Sequence, residues 1–504
     1  MVKRASNVWI IAGFDPTSHS GVMQDAKVMQ YFGVSFSVLI TCNTIQNDQE
    51  CKLIQSVDDD FFKNQFFHLA KSCPPSIIKV GALSSVIQVE LLSNYLLNNP
   101  EVKCILDPVI KTTSGGLFCN DQLLYNVRTL LLPLCYLFTP NLYEAEIILN
   151  DSVVQFSKTD HLLYLSQLCE SITEKIKVKN IFLTGGHSRS ENHRALDCLH
   201  TFGKTNRTVF YKSKVVPTNA RGTGCALSAG FAANLAKKET LLEAIFISKY
   251  YLSKELSVAD NLVSFSKTIS ALQYRKRYSI NEKIFFPKVF SPKYVRDLHR
   301  GFKPMPDKIG FYPIVHKVQH VELLYKLGAK IIQLRLKNIP DVQIKIAIQK
   351  AVLIAREYNG LLIINDHWKY AIDYNCFGVH LGQEDLDYTD LSLIRKHDLR
   401  LGISAHNHFE LSRSLNFQPS YIACGPIFKT NTKKIPYLPQ GLNVLRDWRM
   451  LASNIPLVAI GGITLTNIQD VWSTGVSGVA VISAILKDDN IDHTQIIKFL
   501  NLTY

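Results

Sequence analysis

Short apolar runs alternate with amphipathic, helix-length stretches through most of the chain. In the first half Val8-Trp9-Ile10-Ile11-Ala12 reads as a buried strand ending at Gly13, and a small-residue loop runs on to Gly21. Residues 22–32 then read as a helix closed by Gly33. Further strand-like runs fall at 35–40, 77–80, 103–106, 134–139 and 180–184, separated by helix-length stretches. A strand, a glycine loop and a helix make a βα unit whose loop lies at the carboxyl end of the strand, where α/β proteins bind ligands. The expected fold of this half is a doubly wound parallel sheet with helices on both faces.

From Ile309 the pattern changes to short strands at 310–315, 330–334, 361–364, 377–381, 401–403, 421–424, 457–460 and 478–481, alternating with helices. Eight is the count a (β/α)8 TIM barrel needs, and its functional residues then belong at the carboxyl ends of the strands. Between Gln273 and Lys308 ten Lys/Arg stand against three Asp/Glu, a balance of +7, together with Pro287, Pro292, Pro304 and Pro306. This basic, proline-punctuated stretch reads as a linker. The expected division is 1–272, a linker 273–307, and 308–504.

The linker changes the meaning of the charge, because it holds half of the net +14. No aromatic-basic module stands out, so a nucleic-acid partner is not expected, and steering of anionic phosphate substrates accounts for part of the remainder. The 504 residues, 47% hydrophobic and 19% charged, suit a soluble globular chain of two or three domains. No run approaches the roughly 20 apolar residues of a membrane span. The apolar run after Met1-Val2-Lys3-Arg4 is too short for a signal peptide. Eleven cysteines with no CxxC pair point to reduced thiols and a cytoplasmic location.

Several strand ends in the first half carry polar residues an ordinary core would not select. Asp107 follows Cys104-Ile105-Leu106, and Asn141 and Glu144 follow Tyr136-Leu137-Phe138. These oxygens could hold Mg²⁺ or its waters, although capping of a helix by Asn141 satisfies the same pattern. Asn219-Ala220-Arg221-Gly222-Thr223-Gly224-Cys225 leads into an alanine-rich helix. Glycines there leave backbone N–H groups to face an anion, and Cys225 at the helix start would have a lowered pKa and could accept a hydroxyl proton. The bland alternative is a glycine turn with a buried thiol.

Ala12-Gly13-Phe14-Asp15-Pro16, Gln46-Asn47-Asp48, Asp107-Pro108-Val109, Ser114-Gly115, Thr139-Pro140-Asn141 with Glu144-Ala145, Gly185-Gly186-His187 and Gly222-Thr223-Gly224-Cys225 occur in order. The region from about 5 to 270 resembles the hydroxymethylpyrimidine and phosphomethylpyrimidine kinases of the ribokinase-like fold. The resemblance implies ATP-dependent phosphorylation of the hydroxymethylpyrimidine and then of its monophosphate. It implies that Gly13, Asp15 and Gln46 bind substrate and Glu144 serves Mg²⁺. Gly222 to Gly224 would form the anion hole, with Cys225 at the base position. Phe14 stands where the family has Ser, Ala82 where it has Met, Thr184 where it has Lys, and Ser18-His19-Ser20-Gly21 where it has a glycine run.

In the second half polar motifs fall at seven successive strand ends. Gln333, Arg335 and Lys337 share one face of an extended Gln333-Leu334-Arg335-Leu336-Lys337, which suits a diphosphate. Asp366 and Asp385 on adjacent strands could share one Mg²⁺, and the glycine turn Gly461-Gly462 with Ile482-Ser483 could grip a separate phosphomonoester. With Gly378-Val379-His380-Leu381-Gly382-Gln383-Glu384-Asp385 and Gly425-Pro426-Ile427-Phe428, these motifs resemble thiamine-phosphate synthase over about 308–500. The resemblance implies that Gln333 through Lys337, Asn365, Ser404 and Lys433 bind the pyrimidine diphosphate. Arg335, Lys337 and Lys433 would stabilise its departing charge. It implies Mg²⁺ on Asp366 and Asp385, and the thiazole phosphate on Thr430, Asn431, Thr432, Gly462, Ile482 and Ser483. Leu336 stands where the family has Glu.

The expected protein is a bifunctional, cytoplasmic homo-oligomer with small-molecule substrates. One half would make the diphosphate that the other consumes. The alternative is a first half that is inactive or retargeted, as a thiazole kinase or a non-catalytic binding module.

Overall fold

The computed structural model describes residues 7–47, 50–110, 119–150, 160–185, 194–203, 206–214, 221–261, 279–293, 301–306, 308–430, 437–487 and 490–503. They fall into two compact units, Met1–Tyr278 with Ile284–Lys293, and Ser279–Lys283 with Tyr294–Tyr504. Among the described residues no helix is long and apolar enough to cross a membrane.

The first unit carries strands β1 (Asn7–Phe14), β2 (Ser35–Gln46), β3 (Cys51–Ser56), β4 (Ile77–Val80), β5 (Lys103–Leu106), β6 (Leu137–Phe138), β7 (Asn180–Leu183), β8 (Arg194–Thr201), β9 (Arg207–Lys214) and β10 (Lys288–Phe290). They form one sheet in the order β10-β9-β8-β7-β6-β5-β4-β1-β2-β3. The six strands from β2 to β7 run parallel. The expectation of a wholly parallel sheet is corrected at both edges. There β3 pairs antiparallel with β2, and β8, β9 and β10 add successive antiparallel strands beyond β7. The β2–β3 and β7–β8–β9 hairpins need no crossover helix, and β10 is a three-residue strand far along the chain, so none leaves a βα signature in the pattern. Every residue of β1 except Phe14 is buried, as expected of a central parallel strand covered on both faces. The helix Gly21–Phe32 ends at Gly33, whose left-handed conformation (φ 66°) lets its N–H reach the carbonyls of Met29 and Gln30.

The second unit is a closed barrel of eight parallel strands: β11 (Gly310–Val315), β12 (Ile331–Leu334), β13 (Leu361–Asn365), β14 (Gly378–Leu381), β15 (Arg400–Ala405), β16 (Tyr421–Cys424), β17 (Leu457–Ile460) and β18 (Gly478–Val481). The ring closes where β11 pairs with β18 from Gly310↔Gly478 to Pro313↔Val481. Its interior is packed with side chains, among them Tyr312, Ile314, Ile331, Ile363, Tyr421, Ala423, Val458 and Ala480. Of the stretch expected to link the halves, Lys288–Phe290 extends the first unit's sheet as β10. Ser279 donates to Asp447 Oδ2 at 2.5 Å within the second unit.

Candidate active sites

In the first unit a cavity of about 270 Å³ opens at the carboxyl ends of the parallel strands, against the start of the helix Thr223–Ala236. Gly13, Asp15, Gln46, Asp107, Asn141, Glu144, Gly222, Gly224 and Cys225 all line it. Gly222 is left-handed (φ 72°), and a Cβ there would stand 2.0 Å from the His19 carbonyl oxygen, so only glycine lets the turn pass. The N–H groups of the helix's first turn have no intrahelical partner and are oriented for an anion. Both carboxylate oxygens of Asp15 are used within its own loop. Oδ1 accepts from Thr17 N–H (2.9 Å) and Thr17 Oγ1 (2.7 Å), and Oδ2 accepts from Ser20 Oγ (2.7 Å). Asp15 therefore shapes the loop that precedes the helix Gly21–Phe32.

Glu144 and Asn141 form a reciprocal cap, each side chain accepting from the other's backbone N–H at 2.9 Å. Burial, and then the charge of Asp107, push the Glu144 carboxyl up to about 8. Two buried carboxyl groups close enough for one to raise the other's proton affinity are a donor set suited to a hard divalent cation. The lowered pKa expected of Cys225 is corrected. Burial pushes this thiol up to about 12, and the pull of Lys79 is opposed by Asp107 and Asp25. Desolvation of the sulfur outweighs the helix terminus. Ala82 and Thr184 both line the cavity, and Thr184 Oγ1 donates to the Pro140 carbonyl at 3.3 Å.

Sequence reading missed the buried charges beneath this floor. Lys79 Nζ stands 2.8 Å from Asp25 Oδ2 and 3.6 Å from Asp107 Oδ2, and Ser228 Oγ donates to Asp107 Oδ2 at 3.1 Å. Burial works against the Lys79 charge, but Asp25, Cys225 and Asp107 outweigh it and hold the ammonium above its ordinary range. Burial in turn lifts Asp25 to about 6, with Lys79 opposing. At neutral pH the pair is an ion pair. The visible signal was a lysine inside the apolar run Ile77-Ile78-Lys79-Val80.

In the second unit a cavity of about 290 Å³ lies at the carboxyl mouth of the barrel. Gln333, Arg335, Lys337, Asn365, Asp366, Asp385, Ser404, Thr430, Gly462, Ile482 and Ser483 line it. Leu334 and Leu336, expected with their neighbours as substrate contacts, do not. Alternation turns them away from the cavity, and they are 1% and 4% exposed. Asn431, Thr432 and Lys433 lie outside the described residues, as do Asp48, Lys111, Ser114-Gly115, Gly186-His187 and Asn219-Ala220.

Lys337 is ion-paired with Asp366, which stands at φ 64° just past the end of β13 and donates its N–H to the His380 carbonyl at 2.9 Å. Burial and then Asp366 raise the Asp385 carboxyl, while the Gly382 N–H (3.0 Å) and Lys337 lower it. Among the described residues no three His, Cys, Asp or Glu side chains converge as a metal cage. The chain offers a carboxylate pair to a hard cation, leaving room for substrate oxygens. His406 also lines the cavity. Its Nδ1 lies 2.7 Å from Glu410 Oε2, and its ring stacks on Tyr437 at 4.5 Å.

Fold and sites together define a pair of transferases, a ribokinase-like kinase followed by a TIM-barrel enzyme. Residues 15–269 match the phosphomethylpyrimidine kinase family and residues 312–485 match thiamine monophosphate synthase. The chain is 47% identical over 192 residues to the thiamine-phosphate synthase of Proteus mirabilis, covering 38% of this chain and 89% of that protein. It is 46% identical over 186 residues to that of Photorhabdus laumondii, covering 37% and 86%. Among solved structures it is similar to a phosphomethylpyrimidine kinase of Clostridium difficile (24% identity, TM-score 0.42, 49% of this chain and 98% of that one). It is also similar to a thiamine phosphate pyrophosphorylase of Pyrococcus furiosus (28%, 0.34, 39% and 96%). The chain belongs to the phosphomethylpyrimidine kinase family in its first unit and to the thiamine-phosphate synthase family in its second. It is a bifunctional transferase of thiamine biosynthesis.

Proposed function

We propose that the first unit uses ATP to phosphorylate the hydroxymethylpyrimidine and then its monophosphate, and that the barrel joins the resulting diphosphate to hydroxyethylthiazole phosphate. The observation that carries this reading is one barrel cavity with cationic side chains and a carboxylate pair on one side and glycine-turn backbone on the other. Arg335 and Lys337 flank the Asp366–Asp385 pair on β12 to β14, and the backbone of Gly461-Gly462 with Ile482-Ser483 lies across the mouth on β17 and β18. One wall suits a diphosphate on a divalent cation and the other suits a phosphomonoester.

In the kinase the first-turn N–H groups after Gly222 would cradle the phosphoryl group in transfer, and the aminopyrimidine would lie between Gly13 and Gln46. Cys225, protonated when the cavity is empty, would hand its own proton to an oxygen of the transferring phosphoryl group as it takes up the substrate's hydroxyl proton. Glu144 and Asp107 would hold Mg²⁺ there, and Asp366 and Asp385 would hold it in the barrel. Mg²⁺ supplies neutralisation of phosphate charge at both places. In the barrel, Arg335, Lys337 and Lys433 would stabilise the departing diphosphate, and Ser404, Asn365 and Gln333 would orient the pyrimidine for attack by the thiazole nitrogen. The amino group stabilises the pyrimidine methylene cation, so no protein base is required for bond formation.

The same reading extends to assembly and location. Val342 (69% exposed), Ile346 (46%) and Leu353 (59%) lie on one face of the helix Asp341–Glu357, a stripe that a second copy would cover. The cysteines are free thiols, in keeping with a cytoplasmic enzyme. The full chain supplied with ATP, Mg²⁺, hydroxymethylpyrimidine and the thiazole phosphate is expected to form thiamine phosphate. Turnover only when the pyrimidine diphosphate is added would remove the kinase half of the proposal.

A further inference from the structure

Beneath the barrel mouth runs a continuous chain of hydrogen bonds that links two of the cavity's polar side chains through the core. Gln333 Nε2 donates to Tyr312 Oη at 3.0 Å. Tyr312 Oη lies 2.8 Å from Tyr421 Oη, Tyr421 Oη lies 2.9 Å from His380 Nδ1, and His380 Nε2 lies 2.9 Å from Ser404 Oγ. Tyr312, Tyr421 and His380 are buried on β11, β16 and β14; Tyr312 and His380 reach the cavity wall beside Gln333 on β12 and Ser404 on β15, and Tyr421 lies behind them. Five strands of the barrel thus contribute one residue each.

With the Gln333 amide nitrogen toward Tyr312, proton counting sets the direction of the chain. Tyr312 accepts from Gln333, so its single proton goes on to Tyr421, and the proton of Tyr421 goes to His380 Nδ1. A neutral imidazole that accepts at Nδ1 carries its proton on Nε2 and donates it to Ser404 Oγ. The Ser404 proton is then turned to the cavity, and Gln333 Oε1 is the amide atom left for a ligand. In the opposite direction Tyr312 would meet the Gln333 amide with its own proton, donor against donor. The two ends are therefore set together, an acceptor at Gln333 and a donor at Ser404. The barrel makes room for this arrangement at Gly402, where a Cβ would lie 2.1 Å from Tyr421 Cζ and 2.3 Å from Oη.

We propose that Tyr312, Tyr421 and His380 are positioning residues that hold Gln333 and Ser404 in complementary polarity for a heteroaromatic ring carrying an exocyclic amino donor and a ring-nitrogen acceptor. The proposal rests on the pyrimidine diphosphate reading of this cavity. It adds that recognition of the ring is one coupled unit and not two separate contacts.

The test measures binding of the pyrimidine diphosphate to the full-length protein by calorimetry, without thiazole phosphate, so that no turnover intervenes. Tyr421→Phe keeps the ring and removes the central hydroxyl. It is expected to weaken binding roughly tenfold, about what one buried hydrogen bond accounts for, and to leave thiazole phosphate binding within about twofold. In a Ser404→Ala background the same change is expected to add little, because the two ends act as one unit. A full additional tenfold there, or equal losses for both ligands, would show a packing effect and overturn the proposal. Tyr312→Phe cuts the chain one bond earlier and gives the same readout should Tyr421→Phe fail to fold. Wild-type protein that does not bind the pyrimidine diphosphate would refute the reading of the cavity itself. Wild-type binding that both phenylalanine variants leave unchanged would refute only the relay.

Discussion

Glu144 carries a consequence that its capping geometry alone would not suggest. Its carboxyl, held near 8 by burial and by Asp107, keeps a proton that the unfolded chain gives up near the ordinary value of 4.5. A raised carboxyl favours the folded state at low pH, and that contribution is lost as pH rises through the folded value. The melting temperature of the magnesium-free protein is therefore expected to fall between about pH 5 and 8.5, and Glu144→Gln should flatten the fall. Magnesium at pH 8 should restore more stability to the wild type than to Glu144→Gln. An equal gain would remove Glu144 from the proposed metal site. A thiol protonated throughout the neutral range acts only as a proton carrier in transfer, so Cys225→Ala should slow phosphorylation by about 10²-fold. An unchanged rate would show that the sulfur only packs. In the barrel, Arg335→Ala removes leaving-group stabilisation, and a loss of at least ~10²-fold in synthase turnover is expected.

Among the elements, legibility follows how strictly burial governs the pattern. The barrel strands were readable almost to the residue, because each is short, apolar and flanked by turns, as in Tyr421–Cys424 and Leu457–Ile460. The edge of the kinase sheet was not. β8 buries Asp197 and His200, and Asp197 is satisfied by Lys249 and by the Gly185 N–H at 2.9 Å, partners far away in sequence. Tertiary pairing of that kind erases the alternation on which strand reading depends. β4 conceals Lys79 for the same reason, since its partner Asp25 sits on the helix Gly21–Phe32. Lys79→Met would leave Asp25 buried without its counter-charge, and destabilisation of about 3–5 kcal/mol is expected for breaking such a pair from one side. Thermal unfolding of the full chain, followed with and without ATP to mark the first unit's transition, measures it. Replacing both partners, as Asp25→Leu with Lys79→Met, should recover much of the loss. A double variant as unstable as the single one would show that the pair is not the source.

For the chain as a whole, the sequence order of the two sites is also the chemical order, the kinase preceding the consumer of its product. The site residues were legible because they lie at strand ends, where a polar residue after an apolar run stands out. The residues that hold them, Tyr312 and Tyr421 among them, look like core from sequence and show their role only when the barrel closes. The proposed order gives a test that uses two damaged full-length chains. Arg335→Ala should leave the first unit intact and accumulate the pyrimidine diphosphate from alcohol and ATP. Gly222→Ala forces a Cβ to 2.0 Å from the His19 carbonyl and spoils the anion turn of the first unit, with the barrel untouched. Neither chain alone should make thiamine phosphate from the alcohol. Mixed together they should, with a lag that shortens as the Arg335→Ala chain is increased, because the diphosphate must build up in solution before the second chain can bind it. Chromatography of quenched samples follows both the intermediate and the product. Product from the Gly222→Ala chain alone would show that the turn is not needed for phosphoryl transfer. No product from the mixture, with the wild type active, would show that the diphosphate does not pass between chains through solution.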